Sequence, residues 1–241
     1  MYLPTGIYKS MVRRGYEMMK LLFGILISLL LPLAVCLYYS SKELKEAKGF
    51  NNRIIAVFSS TKKEYIVLAA SIAAGLTTYV ISQYVYHQAD IFWTYRWQIA
   101  IGLLVPIAVI DFKEHIIPNK LLLVGMAFTF VTVGVQIAFN PDYFLSILGN
   151  AFVGLIAGGG IFFFASLFVK NGIGAGDIKM FLLLGFLVAF RGIFNVLLYS
   201  MVTSAVYAII LLISKKKTTK DELPLAPFTL FGIVISILFG V

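Results

Sequence analysis

Charge is what this chain has least of. Only 13% of its 241 residues are Asp, Glu, Lys or Arg, against roughly 25% in a soluble globular protein. Cysteine is nearly absent as well. The single Cys36 excludes an intrachain disulfide. With two distant histidines, His87 and His115, it leaves no thiolate or imidazole cluster, so no metal and no cofactor are expected. Acids are scarcer than bases, 11 against 20, which leaves a net charge of +9. In a soluble chain that excess would suggest nucleic acid. What is abundant here argues otherwise. Hydrophobic residues make up 60% and the mean hydropathy is +0.93. A water-soluble core cannot use that much apolar surface, but a bilayer can. The basic excess then reads as cytoplasmic loops facing anionic lipid, with no nucleic-acid partner.

A spanning helix needs about 20 apolar residues. Eight candidates fit an all-α membrane bundle: 21–39, 65–84, 98–117, 121–139, 145–168, 178–190, 193–213 and 227–240. The sixth and eighth are too short to cross alone and are expected only as parts of a packed bundle. The loops 40–64, 111–120, 169–179 and 214–222 hold 14 of the 20 Lys and Arg, whereas 85–97, 140–144 and 191–192 hold Arg96 and Arg191. That asymmetry puts the first set in the cytoplasm. The amino-terminal tail, with Lys9, Arg13, Arg14 and Lys20, disagrees with simple alternation. The stretch Leu33-Ala34-Val35-Cys36 approaches a lipoprotein cleavage box, but Val35 is bulky for its place, and an uncleaved first helix is expected. Trp93 and Trp97, with Tyr84, Tyr86 and Tyr95, read as an outer aromatic belt. Asn150, Gly154 and Gly158 read as helix-packing features.

Two acids stand where loops do not account for them. Asp111 follows the uncharged run 99–110, and Pro118 sets the helix end near Ile117. Asp177 closes a run in which Gly172, Gly174 and Gly176 alternate. Such a run makes poor helix and delivers Asp177 to the start of the next one. Singly, each has a plain structural reading: Asp177 as a helix N-cap, Asp111 as a snorkelling side chain. Together they lie at one face and similar depth, where carboxylates are costly and usually functional. A carboxylate pair can hold and activate water without a metal. Polar residues fall mainly at one end of the helices, which disfavours the alternative of a small proton- or ion-coupled transporter.

These residues resemble a known family. Asp111, six residues, then Pro118-Asn119 is similar to the first aspartate motif of type IV prepilin peptidases. Gly174-Ala175-Gly176-Asp177-Ile178-Lys179 is similar to their second, GxGDxK. Near the end, Lys220 followed by Pro224-Leu225-Ala226-Pro227-Phe228 resembles a third family segment, with Leu225 and Ala226 in place of the usual Phe and Gly. The resemblance covers about residues 65–241. It implies an intramembrane aspartyl protease whose catalytic residues are Asp111 and Asp177, supported by Gly174, Gly176, Lys179, Pro118, Asn119, Pro224 and Pro227. Many bacterial members carry a methyltransferase domain with zinc-binding cysteine pairs after the first helix. Here that place holds 40–64, without cysteine. The resemblance therefore implies two units: 1–64, a helix and short cytoplasmic loop, and 65–241, a peptidase without zinc. It also implies a type IV prepilin-like or pseudopilin substrate, cut at its leader junction at the cytoplasmic face of the inner membrane. By the helix dipole, Asp177 at a helix start suits the general base and Asp111 the acid.

Overall fold

In the computed structural model, residues 91–168, 174–214 and 223–239 are described, together with the single positions Ala73 and Val80, both helical. The expected span 21–39, the loop 40–64 and most of the span 65–84 lie outside them. The described residues form an all-helical, multi-pass membrane bundle. Its helices are α1 (Ile91–Glu114), α2 (Asn119–Phe139), α3 (Phe144–Phe168), α4 (Ala175–Ile213) and α5 (Ala226–Phe239), with one 3₁₀ turn, Pro141–Tyr143, between α2 and α3. Four of these helices are long and apolar enough to cross a membrane, and α5 is a shorter apolar helix.

A helix that is apolar all round belongs inside a bundle. Helix α1 is that helix: Trp97, Ile99, Ala100, Leu103, Leu104 and Ile107 are all buried. Helices α2, α3 and the later part of α4 instead expose large apolar side chains, among them Leu123, Phe130, Ile156, Phe164, Leu198 and Val202. In water such a surface would aggregate, whereas in a bilayer it meets lipid. Hydroxyls inside the bundle are satisfied within their own helices. Thr129 donates to the Gly125 carbonyl at 2.8 Å, and Ser236 donates to Gly232 at 2.8 Å. This back-bonding removes the desolvation penalty without needing a partner helix.

The spans expected at 178–190 and 193–213 appear as one helical segment, α4, broken at Ala189 (φ 62, ψ −176). The chain reverses there. A Cβ on Gly158 would meet both the Phe181 carbonyl and the Ile193 side chain. On a straight helix those two residues would stand about 18 Å apart. Helix α3 lies along both arms of this hairpin. Gly154 and Gly185 let the backbones touch, since a Cβ on either would lie 2.3 or 2.1 Å from the other's carbonyl oxygen. The packing role read for Gly154 and Gly158 is therefore seen, whereas Asn150 is exposed and faces a cavity.

Three expectations are corrected. Helix α1 ends at Glu114, not near Ile117, because His115 adopts a left-handed conformation (φ 53) and its amide bonds to the Asp111 carbonyl at 2.9 Å. Asp111 is thus in the last turn of α1. Trp97 is 1% exposed and belongs to the core rather than to an interfacial belt; Tyr95 is buried too. Polar side chains are also not confined to one end: Thr94, Arg96 and Gln98 are buried near the start of α1.

Candidate active site

The up-and-down order of the helices brings three chain segments to one end of the bundle: the close of α1, the start of α4 and the start of α5. Each contributes to the surroundings of Asp111 or Asp177.

Asp111 is 5% exposed. Its Oδ2 accepts the Ala226 backbone N–H at 2.9 Å. The first amides of any helix have no partner within it, and Ala226 is the first residue of α5. The carboxyl of α1 therefore caps α5. Pro227 in that first turn lacks an amide that would have been unpaired in any case. Pro224 is buried just upstream and Pro227 is half-buried. The third segment thus meets Asp111 through a backbone group. A backbone donor does not depend on its side chain, so the Leu225 and Ala226 departures leave this contact intact.

Asp177 lies in the first turn of α4, one residue after Gly176. Gly174 precedes the helix in an extended conformation (φ −69, ψ 137) and its carbonyl accepts the Asp177 amide at 3.0 Å. Two glycines here answer to steric demands. A Cβ on Gly174 would stand 2.9 Å from Asp177 Oδ2. A Cβ on Gly176 would stand 3.0 Å from the Ile117 Cβ. Gly176 thus lets α4 start against the connection that follows α1, and this close approach sets Asp177 at the same end of the bundle as Asp111.

A third contact joins the two motifs. Lys179 Nζ donates to Asn119 Oδ1 at 3.1 Å. Asn119 opens α2 after the buried Pro118, whose extended backbone (φ −70, ψ 118) turns the chain into that helix. Lys179 and Asn119 are both exposed, so this bond sits at the rim. All nine residues read as catalytic or supporting are therefore found at one end of the bundle. Among the described residues, no group of three or more His, Cys, Asp or Glu could hold a metal ion.

Sequence reasoning missed the Ala226 amide. Its signal was available: Pro227 marks a helix start, and a helix start supplies unpaired amides. The dipole contrast drawn between the aspartates also loses its basis. Asp111 ends α1 but caps α5, so both carboxyls sit at helix amino ends.

Comparison with known proteins shows what this stretch is similar to. Residues 98–209 match the type IV leader peptidase family, and this stretch contains both aspartate motifs. Across 143 residues the chain is 25% identical to a prepilin leader peptidase/N-methyltransferase of Bacillus subtilis, covering 58% of the chain and 54% of that protein. Across 142 residues it is 29% identical to a protein of the same description from Myxococcus xanthus, covering 54% of the chain and 41% of that protein. The chain thus spans about half the length of these curated leader peptidase relatives. No solved structure matches it.

Proposed function

We propose that this chain is a prepilin or pseudopilin leader peptidase, an aspartic endopeptidase working at the membrane surface, with its peptidase unit in residues 65–241. The observation that carries the reading is that Asp111 and Asp177 stand at the same end of a membrane bundle, with Asp111 buried on the α5 amide. One carboxylate takes a proton from a water molecule as the oxygen attacks the scissile carbonyl. The other carboxyl gives a proton to the carbonyl oxygen, and the amine leaves with the proton first removed. Which aspartate plays which part belongs to the pair. Lys179 and Asn119 hold the two motifs together at the rim, and Gly174 and Gly176 give Asp177 its room.

The basic bias of the loops at this end supports a cytoplasmic site in the inner membrane. The substrate suited to it has a short polar leader in water and an apolar helix in the bilayer. Its junction lies near the depth of the aspartates. Cutting there avoids unwinding a peptide deep in hydrocarbon, where unpaired backbone is costly.

The test is cleavage of a prepilin fragment by the full chain in detergent, with mass spectrometry of the new amino terminus. The same spectrum reads any methylation. Cleavage at the leader junction is expected, together with its loss in Asp111→Asn and in Asp177→Asn while both variants keep their helical circular dichroism. Full activity in Asp111→Asn would overturn the dyad. Proton flux without cleavage would favour a transporter.

A further inference from the structure

A second polar concavity lies at the other end of the bundle, far from the aspartates. It occupies about 850 Å³ between the start of α1, the end of α2, the start of α3 and the α4 reversal. That size suits a small ligand or a lipid headgroup, for which roughly 300–1,000 Å³ is usual. Two guanidinium groups line it. Arg96 is 8% exposed, and its Nη2 donates to Gln136 Oε1 at 2.6 Å. A charge held that deep in a membrane bundle is costly and marks function more often than architecture. Arg191 stands exposed at the α4 reversal. Asn150 adds an amide, and none of the described residues lining the cavity is acidic.

We infer that this cavity binds the headgroup of an anionic phospholipid. Planar guanidiniums with several N–H donors match phosphate oxygens. The lipid source follows from the surroundings. The cavity lies where α2 ends and α3 begins, and apolar side chains flank it: Phe190 lines the cavity and is exposed, and Leu145 beside the lining residue Ser146 is exposed as well. Such flanks give acyl chains a track, which a free phosphate ion would not need.

The chain offers a built-in reporter. It has two tryptophans, and both Trp93 and Trp97 line this cavity. Intrinsic tryptophan fluorescence of the full chain therefore reads this site alone. In dodecyl maltoside, titration with dihexanoyl-phosphatidylglycerol is expected to give a saturable change in emission. Dihexanoyl-phosphatidylcholine should need at least about tenfold more lipid, because its own cation offsets the phosphate, and inorganic phosphate should give no saturable change. Arg191→Ala, at an exposed position, should raise the half-saturation point for phosphatidylglycerol at least about tenfold, with Arg96→Gln acting in the same direction. A flat titration with phosphatidylglycerol overturns the site. Equal response to the two lipids, or an unchanged titration in Arg191→Ala, overturns the anion-binding role. A saturable response to inorganic phosphate matching that to the lipid overturns the lipid as its source.

Discussion

Gly174 shows how little room separates the Asp177 carboxyl from displacement. A methyl group there would press on Asp177 Oδ2 from 2.9 Å. The backbone at Gly174 needs no glycine (φ −69, ψ 137), so Gly174→Ala changes the room around the carboxyl and not the turn. Cleavage is expected to fall about tenfold or more, the equivalent of about 1.4 kcal/mol of lost transition-state stabilisation. The unfolding midpoint should stay within a few degrees. Gly134 supplies the control. A Cβ there meets nothing within 4 Å, and Gly134→Ala should stabilise α2 by about 0.5–1 kcal/mol with cleavage unchanged. Paired cleavage and thermal-melt measurements separate the two cases. Gln98 is a different sort of residue-scale feature. It is 1% exposed, and neither its Nε2 nor its Oε1 finds a partner among the described residues. Burying an unpaired amide costs about 1–3 kcal/mol. Gln98→Leu, of similar size, should therefore raise the melting midpoint in detergent, and a lowered midpoint would show that the amide has a bonded role.

At the scale of elements, α4 holds the strongest local conflict. Ala189 (φ 62, ψ −176) occupies backbone space that is nearly glycine's own, at a cost of about 1–3 kcal/mol. The α3 packing on both arms of the hairpin offsets that cost. Ala189→Gly should thus stabilise the protein by about 1 kcal/mol or more, read as a higher melting midpoint, with cleavage unaffected because the reversal is at the far end from the aspartates. Gly154→Leu should do the reverse. Its side chain would enter the Gly185 carbonyl, and overpacking of this kind costs about 1–3 kcal/mol or more. Periodicity and composition placed α2, α3 and α5 to within two residues of their observed starts. They also anticipated two arms in α4, since Arg191-Gly192 interrupts an otherwise apolar run. The left-handed His115 was not legible, because helix-ending residues of that conformation are usually glycine or asparagine. The end of α1 was set three residues too late for that reason. Trp97 was misplaced because an indole suits both a core and an interface, and only the packing of neighbours tells which.

For the whole molecule, scarcity of charge made the aspartates visible, but only three-dimensional packing explains why they meet. The Gly176 contact with Ile117 and the Ala226 amide on Asp111 join segments distant in sequence, and no spacing rule encodes either. The same packing divides the bundle into two polar ends, one with Asp111, Lys179 and Asn119, the other with Arg96, Gln136 and Asn140. Sidedness follows as a proposal that one experiment can check. Cys36 is the single cysteine, so a Cys36→Ser background carries no thiol, and one new cysteine reports one position. Lys120, in the first turn of α2, and Asp142, in the 3₁₀ turn at the opposite end, are both exposed. With the aspartate end in the cytoplasm, a membrane-impermeant maleimide added to cells with a permeabilised outer envelope should label Asp142→Cys and spare Lys120→Cys until the inner membrane is opened. The reverse pattern would place the aspartates on the outer face. It would separate them from the leader they are proposed to cut, and so would count against the substrate as well as the orientation.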